Sequence, residues 1–200
     1  MLVLSEGDCQ RCGLGANRTN LVVGKGNPKS NILFVGEAPG ETEDKTGEPF
    51  CGRAGKMLDN ILKACGVTLE DVYITNTVMC RPPQNRNPLT EEVEVCREFL
   101  YNKIISMRPK LIIALGKVAA NWFIIDMPRG VIREWNLKEP MSLTDDSIRE
   151  TYVRKYKLLH VYHPAALLYD PGKISEMNTL LGPHIDYIKS VSQLGYVEER

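Results

Sequence analysis

Four polar features stand where they could act on a ligand. Residues 32–40 read Ile-Leu-Phe-Val-Gly-Glu-Ala-Pro-Gly, four apolar residues running into a glycine-rich turn. Such a turn aims successive N–H groups into one concavity, which suits an anion or a carbonyl oxygen. Gly36 and Gly40 let a ligand approach the main chain, and Pro39 fixes its own φ. Asn76, Lys117 and His163 each follow another apolar run. Each alone has an ordinary reading: a turn, a strand cap, a solvated cation, a structural histidine. Phe50, an aromatic in an otherwise polar loop, either anchors that loop on the core or stacks on a planar ligand.

The cysteines suggest metal chemistry. Cys9-Gln10-Arg11-Cys12 runs into Gly13-Leu14-Gly15, a loop rather than the strand-to-helix seat of a thioredoxin-like redox pair. We read it as half of a four-thiolate site. Cys80 lies just before a helix and Cys96 on that helix's inner face, so both can reach one place. Thiolates alone suit zinc as well as iron–sulfur. Cys65 falls on the buried stripe of an earlier helix and reads as core; Cys51 reads as packing.

The elements must bring these residues together. Four short apolar runs, at residues 31–35, 72–77, 111–117 and 157–162, fit strands buried on both faces, as in a parallel sheet. Between them, Ala54, Met57, Leu58, Ile61, Leu62 and Cys65 recur at helical spacing before Gly66. Thr90, with acids behind it, reads as the N-cap of a helix whose stripe is Val93, Cys96, Leu100, Ile104 and Met107. A helix through Trp122 and Phe123 and a closing helix over residues 183–194 complete the count. Residues 41–52 read as loop, and residues 129–156 as an irregular connection. Strand–helix alternation predicts a three-layer α/β/α fold around a four-stranded parallel sheet. Ligands of such sheets bind beyond the strands' carboxyl ends, where the 36–40 amides, Asn76, Lys117 and His163 converge.

Composition sets outer bounds. Hydrophobic content of 43% and charge of 25% fit an ordinary globular chain, read as a single domain over residues 1–200. Lysine plus arginine balance aspartate plus glutamate at 25 each, so any nucleic-acid contact needs a local patch. No apolar run approaches the roughly 20 residues that span a bilayer, and the acidic start is unlike a secretory signal. A cytoplasmic location is the default expectation.

The motifs Gly36-Glu37-Ala38-Pro39-Gly40, Gly47-Glu48-Pro49-Phe50, Asn76 before Cys80-Arg81-Pro82-Pro83-Gln84-Asn85-Arg86, and His163-Pro164-Ala165-Ala166-Leu167-Leu168 together resemble the family 4, iron–sulfur uracil-DNA glycosylases. The resemblance runs from Cys9 to Leu168, apart from residues 129–156. It implies a monofunctional glycosylase that flips uracil from DNA and hydrolyses its N-glycosidic bond, initiating base excision repair. It assigns Cys9, Cys12, Cys80 and Cys96 to a [4Fe–4S] cluster. Gly36, Glu37, Ala38, Phe50, Asn76 and His163 become the uracil pocket, with Glu37 and His163 catalytic. Glu37 is the first candidate for water activation, ahead of Glu43 and Asp44, because the best-known uracil glycosylases carry an aspartate where this chain has Ala38. Arg86 and Lys117 become phosphate contacts, and Leu167 the wedge that fills the duplex. The implied partner is uracil-containing DNA, single- or double-stranded, with a sliding clamp or other repair protein as a further candidate, and the implied form is a nucleoid-associated monomer. Two other readings compete: a non-catalytic iron–sulfur protein of DNA binding or replication, and an electron carrier resting on the cysteines alone.

Overall fold

The buried apolar runs form the middle of a six-stranded sheet. The computed structural model describes residues 9–140 and 151–195. Its strands are β1 (Lys25–Gly26), β2 (Ile32–Gly36), β3 (Val72–Asn76), β4 (Leu111–Leu115), β5 (Ile132–Pro140) and β6 (Thr151–Val161), in the order β1-β3-β2-β4-β6-β5. The central β3, β2, β4 and β6 are parallel, as expected. The sheet is wider than four strands, however, because β1 and β5 add antiparallel edges.

Alternation along each strand sends neighbours to opposite layers. Ile32, Phe34, Ile74 and Ile113 pack with Leu58 and Leu62 of α2 (Arg53–Ala64), Leu167 of α5 (Pro164–Tyr169), Met177 of α6 (Gly172–Leu181) and Ile188 of α7 (Ile185–Ser192). Leu33, Val35 and Ile112 pack with Leu100 and Ile104 of α3 (Thr90–Met107) and with Ala119 to Phe123 of α4 (Lys117–Phe123). Every residue of β2 and β4 is buried as a result. Cys65 is fully enclosed in the first layer, as its stripe predicts.

Several expectations need correction. The supposed irregular connection is mostly a long hairpin, paired from Ile132 with Leu159 to Pro140 with Thr151; residues 141–150 lie outside the described residues. Trp122, Phe123, Trp135 and Tyr156 stack edge to face or tilted and tie that hairpin to α4. Residues 41–52 are not all loop, since α1 (Glu41–Thr46) ends at Gly47 with φ 78°. The N-cap of α3 is Leu89 rather than Thr90: Glu92 turns back and accepts the Leu89 amide at 2.7 Å. The segment after His163 is also a helix, α5, started by Pro164 in its first turn. Leu167 faces the core there at 3% exposure, so this conformation does not present it to DNA as the expected wedge. Among the described residues no helix is long and apolar enough to cross a membrane.

The packing of α5 gives a first prediction. Leu167→Ala should lower unfolding free energy by ~2–5 kcal/mol, through lost burial and the cavity left behind. Denaturant unfolding measures it; a change under about 0.5 kcal/mol would place Leu167 outside the core.

Candidate active site

The turn after β2 is pinned from one side. Thr77 N–H donates to the Gly36 carbonyl at 3.0 Å and Val78 N–H to the Glu37 carbonyl at 3.3 Å, while Thr77 Oγ1 donates to the latter at 2.6 Å. A trans peptide aims its N–H opposite its C=O. The Glu37 and Ala38 amides therefore point away from the β3 continuation. Asn76, the last residue of β3, pairs in register with Gly36 and is 2% exposed. Its Oδ1 is buried without a hydrogen-bond partner. A Cβ added at Gly36 would lie 2.4 Å from that oxygen and 2.6 Å from Phe50 Cζ, so only glycine lets the three groups meet.

Phe50 occupies a backbone region unusual for a bulky residue, with φ 51°. Its carbonyl accepts from Lys25 Nζ at 3.0 Å, and a Cβ on Gly55 would stand 1.8 Å from the same oxygen. Nearby, Glu43 Oε1 accepts the Gly52 amide at 3.2 Å and closes the loop. The Phe50 ring meets His163 at 5.8 Å between centroids, tilted 34°.

These groups line one cavity of about 300 Å³. Glu37, Ala38, Phe50, Asn76, Arg86 and His163 all reach it, although they come from scattered parts of the sequence. Gly36 lies directly behind, at the Asn76–Phe50 contact. Lys117 is not among the lining residues; it is 67% exposed and paired with Asp126 at 3.3 Å. Asp44 is also removed from the cavity, buried and accepting the Thr19 amide at 2.9 Å. Arg86 is held by a bidentate pair to Glu92, at 2.7 and 2.8 Å. Ala54, Pro82, Ala165 and Asn85 also line the cavity, and none is assigned to it from the sequence. Asn85 has φ 55°, and its Oδ1 accepts from Arg81 Nε at 2.8 Å. Its neighbourhood of prolines was legible as a rigid loop, but not that the loop folds over the cavity.

Comparison with known proteins gives the family. Residues 23–181 match the uracil DNA glycosylase superfamily. The type-4 uracil-DNA glycosylase of Archaeoglobus fulgidus is 43% identical over 169 residues, 82% of this chain and 79% of that one. The chain belongs to the type-4 uracil-DNA glycosylases. The type-4 enzyme of Thermotoga maritima is 53% identical over 116 residues, 58% of this chain and 60% of its own, and that of Sulfurisphaera tokodaii 41% over 170, covering 82% and 73%.

In this type-4 chain the four cysteines of interest gather at one place. Cys80 and Cys96 are buried among Leu14, Val78, Met79 and Phe99, and Cys9 and Cys12 pack against that group. Arg18 Nη1 bridges the segment by donating to the Cys9 carbonyl at 2.6 Å and to Cys80 Sγ at 3.3 Å. Ala38 of the turn packs on the same group, so this cluster backs the cavity wall. Among the described residues no three side chains close up as they would around one metal ion. Cys51 is separate, with its Sγ 3.1 Å from Thr46 Oγ1.

Burial favours the uncharged form of both candidate catalytic groups. Burial raises Glu37 above the usual carboxylate range, which favours its taking up a proton. Burial lowers His163 from 6.5 to about 4, so the ring is neutral near pH 7. His163 Nδ1 accepts the Ala165 amide at 3.2 Å, which leaves the proton on Nε2. Nitrogen NMR at pH 6 should find neutral His163 as the Nε2–H tautomer, titrating near 4; a ring half-protonated near 6.5 would contradict the burial. Because the unfolded chain binds this proton more readily, His163's contribution to stability is complete above about pH 6.5 and lost as pH falls toward 4.

Proposed function

We propose that the cavity receives a uracil flipped out of DNA, and that water then cleaves its N-glycosidic bond to leave an abasic site. One observation carries this reading: Asn76 lines the cavity with Phe50, and its Oδ1 is buried without a hydrogen-bond partner. That oxygen suits the N3–H of uracil, while the amide nitrogen suits O4. Cytosine reverses both roles and would leave buried groups unsatisfied. Phe50 supplies a stacking surface worth ~1–3 kcal/mol.

Catalysis follows from charge development. As the bond breaks, the sugar becomes positive and the base leaves as an anion. Neutral His163 donates Nε2–H toward O2, and the Glu37 and Ala38 amides add further donors; loss of one such donor costs ~3–4 kcal/mol. Glu37 orients and deprotonates the attacking water, its raised affinity for the proton aiding transfer. Arg86, held by Glu92, and exposed Lys117 contact phosphates of single- or double-stranded DNA.

The cysteine arrangement fits an iron–sulfur cluster held by Cys9, Cys12, Cys80 and Cys96. The donor set supports this: Cys80 and Cys96 lie in one buried group against which Cys9 and Cys12 pack, and thiolates are the ligands of such clusters. When bound, the cluster supplies a rigid cross-link between the N-terminal segment and the proline-rich loop.

The decisive test is release of free uracil from a uracil-containing oligonucleotide, with strand breaks after alkali. Intact strands and no free base would overturn the proposal. Asn76→Asp should lower uracil excision by roughly 5- to 150-fold and raise the relative rate on cytosine; unchanged turnover would remove Asn76 from base recognition. Purified protein should be brown and contain iron and sulfide, with the colour lost in Cys96→Ala. A colourless zinc-bearing preparation would overturn the cluster assignment.

A further inference from the structure

The burial of Leu167 leaves open which side chain fills the duplex when a base leaves it, and helix α5 offers an answer. The helix starts at His163 and runs to Tyr169. Ala165, in its first turn, lines the cavity. Residues four apart share a helix face, so Tyr169 stands on the Ala165 side, about 6 Å further along the axis. Helical side chains lean toward the N-terminus, which directs the Tyr169 ring back toward the cavity mouth. Leu167, about 200° around the helix from Tyr169, faces the core instead.

Tyr169 is 79% exposed, although an aromatic ring gains from burial. Ile125 is comparably exposed at 78%, but it follows α4, which contributes no residue to the cavity lining. The position behind Tyr169 is firm: Asp170 pairs with Lys173 at 3.1 Å and accepts the Gly172 amide at 3.0 Å, with Pro171 between them. An exposed ring on a braced helix end, one turn from the cavity, has the form of a wedge.

We infer that Tyr169 enters the base stack at the gap left by the flipped nucleotide and holds the duplex open. The inference rests on the uracil-excision reading. A flat ring suits this task because every base offers a π face, so the contact is tolerant of sequence. A wedge acts on paired DNA, where the opposite base and the flanking pairs would otherwise close the gap. In single-stranded DNA there is no such closure to resist.

Single-turnover excision should therefore be measured on a U·G duplex and on the same strand alone, for wild type, Tyr169→Ala and Tyr169→Phe. The duplex-to-single-strand rate ratio should fall roughly 5- to 150-fold in Tyr169→Ala and stay near wild type in Tyr169→Phe. Binding to an uncleavable 2′-fluoro-deoxyuridine duplex, with 2-aminopurine beside the uracil, gives a readout independent of chemistry. Wild type should change the probe's fluorescence, and Tyr169→Ala should not. An unchanged ratio, an equal loss on both substrates, or an unchanged fluorescence response would overturn the wedge. A wild-type protein that releases uracil from neither substrate would instead overturn the excision reading beneath it.

Discussion

The cavity depends on the backbone of Phe50. A bulky residue at φ 51° is strained, at an expected cost of ~1–3 kcal/mol, and two features keep it there. Lys25 Nζ holds its carbonyl at 3.0 Å, and Gly55 leaves room for that oxygen where any side chain would collide. The ring is thereby set against Gly36 and Asn76 on one side and His163 on the other. If Phe50 relaxed to an ordinary conformation, the wall of the slot would swing away while the sheet remained intact.

The opposite wall is made by the sheet itself. Parallel β2 and β3 end in register at Gly36 and Asn76, so the polar amide arrives at the glycine turn without any loop to position it. Beyond β4, β6 ends at Val161, two residues before His163, and Pro164 begins the helix that carries the ring's hydrogen-bond partner. The cysteine group supports this edge from behind, through its contact with Ala38 and through Cys80, which leads into the proline-rich loop. An iron–sulfur cross-link there would stiffen the recognition surface without touching the reacting bond.

Much of this was legible in the sequence because burial on both faces leaves a simple mark. β2 and β4 read as unbroken apolar runs, and α3 spans the residues its stripe predicts, apart from the cap. The elements that escaped are those whose pattern is diluted by solvent. The sequence marks β6 only from residue 157; before it, Tyr156 turns inward while Val153 and Lys155 turn out, an alternation that could have marked a strand amid its charges. Helix α1 is short and polar, and its one buried residue, Asp44, is satisfied by Thr19 and Asn20, which lie too distant in sequence to infer. For α5, proline in the first turn was a readable helix start; recognising it would have placed Leu167 inside. Residues of α6 carried no strong periodic signal and were passed over. Convergence at the sheet edge could be foreseen for Asn76 and His163, whereas Lys117 follows its strand into solvent and a pair with Asp126.

The central claim is that the free Asn76 acceptor, the Phe50 ring and the Nε2–H of His163 together define a uracil-shaped site. A crystal structure with uracil bound tests it most directly. The account predicts the base lying on Phe50, with N3 within hydrogen-bond distance of Asn76 Oδ1 and O2 facing His163 Nε2. Uracil bound elsewhere, or bound with Asn76 turned away from its pairing edge, would contradict it.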